Sequence, residues 1–444
     1  MKILFILPEY YPHSGGGIST YYINYIKALR PSCDRIKVIV GSGYYTDNSK
    51  FEIDGVEVEA LNPELYRSTL SKFTRFDLEP ELRNNMAAAW AMYEQANKGE
   101  EFDIIECTDF ALGFIPWVIN HSKPVITRLH GSTGQIASHE NGAGAHALST
   151  AFIKQIELLL LPLCNGLITH STANKTFWNN LLNTNCVIKI DPVFNGTVQQ
   201  PLPLRERDNY GLVTARIQKW KGPVELCKAV SELKETSRPL IKWFGRDMIY
   251  TTSQTTGQYL ADNFPSVWGK SVIAKAPVDN ASINQLQLKA KFGVVPSTWD
   301  MYNFTCLEFL ACGTPVICSD GAGVADIIDH GINGFKYPAN DATALSDCLK
   351  QFDQISEEEY EKMCASAIQS VNLLNAARII PQNIEQYTTV LSNFKPQPAN
   401  VYLTNIYAPA DVKRSIDDVL DKQALKNLSR YLFKRVVKKF TGKK

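Results

Sequence analysis

Pro296-Ser297-Thr298-Trp299-Asp300-Met301-Tyr302-Asn303-Phe304-Thr305-Cys306-Leu307-Glu308, continued by Ala311-Cys312-Gly313-Thr314-Pro315-Val316, sets the reading of this chain. The run AKFGVVPS before it is apolar and β-branched, so the stretch reads as strand, loop, helix, then a new strand TPVICSD. The loop carries Asp300, and the helix carries Glu308 among apolar neighbours, where a carboxylate needs partners. The N–H groups of Tyr302, Asn303 and Phe304 open the helix and can face a phosphate. Two further segments have the same strand-to-helix character. Arg216 and Lys221 lie in Ala215–Gly222, after the strand YGLVTAR, and Gly245-Arg246-Asp247 ends the strand PLIKWFG. Arginine supplies a planar fork and lysine a compact charge, both suited to a pyrophosphate. Together the three segments predict a nucleoside-diphosphate site at the carboxyl ends of parallel strands.

Outward from that cluster, the whole chain alternates short apolar runs with helical stretches. Ile3–Pro8, Arg35–Gly41, FDIIECTD, PVITRLHG and GLITHS are strands of the first half. Helices are expected near Thr20–Arg30, Glu79–Lys98, Ser149–Leu161 and from Thr172. Such alternation predicts an α/β architecture of mainly parallel sheets covered on both faces. The 444 residues exceed what one core supports. We divide them into a first Rossmann-like domain at 1–195, a linker at 196–209 (polar, with Pro201 and Pro203) and a second Rossmann-like domain at 210–385. A return segment at 386–412 packs toward the first domain, and a basic tail occupies 413–444. The region VWGKS–IAKAPV is read as turns before a short helix.

Composition narrows the function. Lys+Arg is 46 against 45 Asp+Glu, a formal charge of +1, so no nucleic-acid partner is expected. Ten cysteines without a CxxC pair fit a reduced, cytoplasmic chain. MKILFILPEYYP is cut short by Pro8 and Glu9, unlike a secretory leader, and no apolar run reaches membrane-spanning length. Gly15, Gly16 and Gly17 sit between the first strand and its helix. They make either a tight turn or a loop beside a diphosphate. The GxGxxG fingerprint and the carboxylate of a dinucleotide site are missing, which excludes NAD. No metal site is predicted: Asp109 and Asp247 are isolated. His139 and His146 flank the stretch ENGAGAHALST, expected to be a surface segment near the acceptor.

With these residues in hand, the chain resembles the retaining GT-B glycosyltransferases of family 4 (glycosyl transferases group 1) over roughly residues 1–390. The matching features are the glycine loop, the pair His130-Gly131 at a strand end, Arg216 with Lys221-Gly222, and Asp300-x7-Glu308 before Gly313-Thr314-Pro315-Val316. Asp300 stands where the family has glutamate, and Tyr302-Asn303 where it has Phe-Gly. The resemblance implies two Rossmann-like domains facing across a cleft. It implies metal-independent transfer of a sugar from a UDP- or GDP-sugar, with retention, to a hydroxyl of a bacterial surface glycan or lipid-linked saccharide. His130, Asp300, Arg216 and Lys221 would be the catalytic set. Gly15, Gly16, Gly17, Gly245, Tyr302, Asn303, Phe304 and Glu308 would join Arg216 and Lys221 in binding the donor. Asp109 is placed facing the acceptor, Arg128 beside His130, and Tyr10, Tyr11, Phe110 and Trp117 either in an acceptor groove or in the core. The alternatives are a soluble enzyme making a small glycoside and a non-catalytic sugar-nucleotide-binding subunit.

The tail adds one more expectation. From Lys413 to Lys444 it holds eleven Lys/Arg and three Asp. Leu420, Ala424, Leu425, Leu428, Leu432, Val436 and Phe440 fall at near-helical spacing, with Lys434, Arg435, Lys438 and Lys439 beside them. An amphipathic helix of this kind is expected to rest on the anionic inner membrane surface, to pack on its own protein or to dock on a partner protein.

Overall fold

The structure is a computed structural model. It describes residues 1–140, 148–251, 253–410, 417 and 420–441. Two sheets organise it. The first has the order β3-β4-β2-β1-β5-β6-β7-β8, with β1 Lys2–Leu7, β2 Arg35–Val40, β3 Lys50–Ile53, β4 Val56–Ala60, β5 Ile104–Thr108, β6 Val125–Arg128, β7 Gly166–Thr169 and β8 Val187–Lys189. All neighbours are parallel except β3, which turns back on β4. The second sheet has the order β13-β10-β9-β14-β15-β16, with β9 Asp208–Thr214, β10 Ile241–Phe244, β13 Val272–Lys275, β14 Ala290–Val295, β15 Val316–Ser319 and β16 Gly334–Tyr337. A small ribbon, β11 Ile249–Thr251 with β12 Gln254–Thr255, lies outside it.

Central strands are buried almost throughout because helices cover both faces. In β1, Leu4 and Ile6 enter one core with Trp117 and Ile153, while Ile3, Phe5 and Leu7 enter another with Tyr22 and Tyr25. The second sheet splits the same way: Phe292 and Val294 face one layer, Ala290 and Val295 the other. The helices foreseen at Thr20–Arg30, Glu79–Lys98, Ser149–Leu161 and Asn303–Cys312 are present as Gly17–Leu29, Pro80–Gln95, Leu148–Leu160 and Phe304–Ala311.

Two strands differ from the sequence reading. Val272–Lys275, taken as turns, is the edge strand β13, and Lys50–Ile53 is the edge strand β3. Edge strands bury little, so they lack the apolar density that marks a central strand.

The chain crosses between domains in extended form through residues 190–203. The helix Ala376–Asn393 returns to the first domain, where Ile379, Ile380, Tyr387 and Val390 join the core of Phe5. Residues beyond it stay there: Asn400 N–H donates to Ile119 O at 3.2 Å, and the Arg75 guanidinium donates to the carbonyls of Asn405, Ile406 and Ala408. A last helix spans Leu425–Thr441; from Leu425 to Phe440 every residue except Leu428 is exposed. Among the described residues no helix is long and apolar enough to cross a membrane.

In both sheets the strand order reverses beside the first strand, at β1/β5 and at β9/β14. Ligands of open α/β sheets sit at such points, beyond the carboxyl ends of the strands. Here the two sets of carboxyl ends face one another.

Candidate functional site

On the second-domain side, the loop Pro296–Asn303 leaves β14 and is pinned to the next turn. Asp300 N–H donates to Gly321 O at 2.9 Å, and Gly323 N–H donates to Asp300 O at 3.0 Å. The Asp300 carboxylate is thereby fixed, and it accepts hydrogen bonds from Lys221 Nζ and from Asn303 Nδ2, the latter at 2.9 Å. Asn303 caps the helix Phe304–Ala311, its Oδ1 accepting from Cys306 N–H at 3.2 Å; its φ of 82° is one that asparagine tolerates. Lys221 arrives from the short turn Lys219–Lys221. Gly222 follows at φ +73°, and a Cβ there would stand 1.7 Å from Pro296 O, so only glycine lets this turn lie against the end of β14.

The remaining predicted residues spread around this centre. Gly245 is backbone packing: a Cβ would meet Ala215 O at 1.8 Å. Arg216 is exposed, its guanidinium 6.0 Å from the centre of the Trp220 ring. Glu308 is partly buried on the helix, where burial raises its pKa, and it accepts from Gln287 Nε2 at 3.1 Å. Tyr302 is buried in the seam between the domains, and Phe304 packs at 5.6 Å from it, ring to ring. A small pocket at the ends of β9 and β14 is lined by Thr214, Lys221, Ser297, Asn303 and Thr305. It places the lysine, the helix N-terminus and the unpartnered Thr214 hydroxyl around one space.

On the first-domain side, His130 follows β6. Burial, with His170 and Arg128 nearby, holds its imidazole well below the ordinary range, so it is neutral. Its loop is held from behind by two acids. Asp109, expected to face the acceptor, is fully buried instead, and its oxygens accept from His130 N–H at 2.8 Å and Gly131 N–H at 3.2 Å. Glu157 accepts from Ser132 Oγ at 2.7 Å and Gly134 N–H at 3.1 Å. Burial pushes Asp109 up to about 7 and Glu157 up to about 8. The sequence reading missed Glu157, although a lone acid in IKQIELLLL was its signal.

Arg128 is likewise internal. Its Nε donates to Glu106 Oε1 at 2.7 Å and its Nη2 to Asn383 Oδ1 at 3.0 Å, and Glu106 also accepts from the hydroxyls of Tyr22 and Tyr387. This network joins the return helix to the sheet beneath His130. Tyr10 and Trp117 belong to the core, which removes them from an acceptor groove.

Gly15, Gly16 and Gly17 open the helix Gly17–Leu29, with Gly15 N–H donating to Ser19 Oγ at 3.0 Å. A Cβ at Gly16 would stand 2.1 Å from Glu9 Oε2, so the glycine seats that carboxylate. Glu9 Oε2 is buried without a partner.

The two sides touch. A Cβ on Gly131, whose φ is +101°, would lie 3.1 Å from Met301 Cγ, and the His139 ring stacks on Trp299 at 4.2 Å. Asp326 of the second domain accepts from Thr172 N–H at 2.7 Å and pairs with Lys189 at 2.9 Å. Residues 141–147, which include His146 and most of the Gly/Ala-rich stretch, lie outside the described residues.

With the geometry in view, comparison with known proteins shows what the chain is similar to. Residues 196–370 match the family model for glycosyl transferases group 1. An uncharacterized glycosyltransferase of Methanocaldococcus jannaschii is 23% identical over 364 residues, covering 77% of this chain and 86% of that protein. Among solved structures, sucrose-phosphate synthase from Thermosynechococcus elongatus superposes with a TM-score of 0.66 at 16% identity, over 88% of this chain and 100% of that one. The Anabaena protein HepE in complex with UDP gives 0.59 at 18%, over 88% and 100%. A UDP-forming α,α-trehalose-phosphate synthase from Burkholderia xenovorans gives 0.61 at 13%, over 88% and 99%. The fold is therefore GT-B, two Rossmann-like domains. Residues 196–370 are similar to glycosyl transferases group 1. The matched model is that of group 1, so the narrower placement in family 4 is corrected.

Proposed function

We propose that the protein transfers a sugar from a UDP- or GDP-sugar to a hydroxyl of a surface glycan or lipid-linked saccharide, with retention at the anomeric carbon and without a metal ion. The observation that carries the donor half is the Lys221–Asp300–Asn303 cluster at the N-terminus of the helix Phe304–Ala311. The departing nucleoside diphosphate gathers negative charge. Lys221, the exposed Arg216 and the helix-end N–H groups are fixed positive partners for it. Glu308 is placed to take ribose hydroxyls, Asp300 to meet the donor sugar, and neutral His130 to meet it from the other domain. Closing the domains on the substrates excludes water and limits hydrolysis.

Calorimetric titration with UDP- and GDP-sugars tests the donor half. Micromolar binding of one of them, weakened about 10- to 100-fold in Lys221→Ala, is expected, since a charge-assisted contact is lost. Absence of binding to any of them by folded wild-type protein sinks the reading.

The tail supports the acceptor half. In the helix Leu425–Thr441, Leu425, Leu428, Leu432, Val436 and Phe440 share one side, with Lys439 among them and Arg435 at its edge, while Lys426, Arg430, Lys434 and Lys438 occupy the other. An exposed helix with this division suits an anionic bilayer surface on the cytoplasmic side, where lipid-linked acceptors are reached. The full chain should sediment with phosphatidylglycerol vesicles and not with phosphatidylcholine ones. Exchanging Lys434, Arg435, Lys438 and Lys439 for Glu should release it. Wild-type protein that stays in the supernatant with anionic vesicles refutes membrane contact.

A second reading has its own support: two of the structural neighbours are named as synthases of small phosphorylated disaccharides. A soluble enzyme making a small glycoside would show the same donor binding and no vesicle binding.

A further inference from the structure

His170 directly follows β7 and His130 lies two residues past β6, and their rings lie 5.0 Å apart. Both pack on the Tyr21 ring, at 4.4 and 4.7 Å. The tautomer of His170 follows from its neighbour. Its Nδ1 is 2.9 Å from Ile190 O, and a carbonyl only accepts, so Nδ1 carries the proton and Nε2 is a bare acceptor. That Nε2 is buried and has no hydrogen-bond partner. The same is true of His130 Nε2 and of the hydroxyl of Tyr302, which reaches the seam from the other domain with its ring 6.3 Å from His170's. His170 and Tyr302 are each only 2% exposed. Native structures rarely leave one buried polar group unsatisfied, and a group of them marks a place that a ligand or an ordered water fills. The two histidines lie side by side beyond the carboxyl ends of β6 and β7, and the ring of Tyr302, from the loop that carries Asp300, neighbours that of His170. On the transferase reading this side of the seam faces the donor sugar.

We propose that His170 is a second sugar-contacting histidine: its Nε2 accepts a hydrogen bond from a hydroxyl of the transferring sugar beside His130, and Tyr302 donates to the same sugar. The inference rests on the transferase reading above. Burial lowers the His170 pKa to about 3, so the ring stays neutral and acts by accepting a hydrogen bond from a hydroxyl rather than by carrying charge. This contact needs the second domain in place, because Tyr302 belongs to it, so it selects for sugar-loaded nucleotide over bare nucleotide.

The discriminating variant is His170→Asn. Its amide can still donate to Ile190 O, but it has nothing at the Nε2 position. Tyr302→Phe removes only the hydroxyl. For wild type and both variants, the Kd of UDP is compared with that of UDP-glucose, and the Kd of GDP with that of GDP-mannose, whichever pair wild type binds. The expected result is nucleotide affinity within about twofold of wild type and sugar-nucleotide affinity about tenfold weaker, in each variant. A ratio of the two affinities equal to wild type in both variants overturns the proposal and leaves the cluster to a buried water, with the transferase reading intact. Failure of wild type to bind either pair removes the transferase reading and this inference with it. A merely structural His170 would lower the melting temperature without moving the ratio.

Discussion

On the first-domain side of the seam, Glu106 and Arg128 are both wholly shut off from solvent; on the second-domain side, Asp300 and Lys221 pair while keeping 14% and 16% of their side-chain surface exposed. The first pair is tied down by Tyr22, Tyr387 and Asn383, and two further buried acids brace the loop above it. In the second pair, Lys221 lines the pocket by Thr214 and Ser297. One side is a dry frame that fixes where His130 stands. The other is a charged surface that can exchange a side-chain partner for a ligand. On the proposed function an anion at Lys221 would replace a carboxylate contact, whereas Arg128 is shut off from solution. Two pairs of a basic group with an acid therefore differ in consequence according to burial.

This contrast breaks most easily in stability. Arg128→Met leaves Glu106 buried without its cation, a change that costs about 3–5 kcal/mol when a buried pair loses one member. Urea unfolding should show a loss of that order, together with loosening of the return helix that Asn383 and Tyr387 anchor. Lys221→Ala is the counterpart with the smaller effect. Its nucleotide affinity falls as stated above, and its unfolding free energy should change by less than about 1 kcal/mol, as expected for a partly exposed pair. Equal stability losses in the two variants would erase the distinction between frame and charged surface.

The two sides were also unequally legible. That Lys221, Asp300 and Asn303 come together could be read from sequence because they lie in strand-loop-helix segments with short local spacing. The parallel sheets were legible for the same reason, through buried strands such as Lys2–Leu7 and Ala290–Val295. Edge strands β3 and β13 were not, since they expose what a central strand buries. The bracing acids were hidden for another reason: Asp109 meets His130 across 21 residues and Glu157 meets Ser132 across 25, contacts that only the folded chain creates. His170 was passed over as the end of a short strand, because its free Nε2 matters only once Tyr302 arrives from the other domain. The motif set pointed to a family narrower than the matched model supports.

The finest test of the contrast is titration of the frame itself. Asp109 and Glu157 sit at about 7 and about 8 in the fold, against ordinary values of 3.8 and 4.5, with burial the leading cause. Raised carboxyl pKa values mean that the folded state holds protons that the unfolded chain releases. Their contribution to stability is complete below about pH 4 and is lost as pH rises through 7 and 8. In the double variant Asp109→Asn with Glu157→Gln this pH dependence disappears. The melting temperature of wild type relative to that variant should therefore fall by a few degrees between pH 5 and pH 8. Groups elsewhere titrate in both proteins and cancel in the difference. A difference that stays flat means that both acids are ionised across the range, held by their backbone N–H donors. The loop under His130 would then be braced by charge, as the Lys221 side is, and its dryness would not be what distinguishes it.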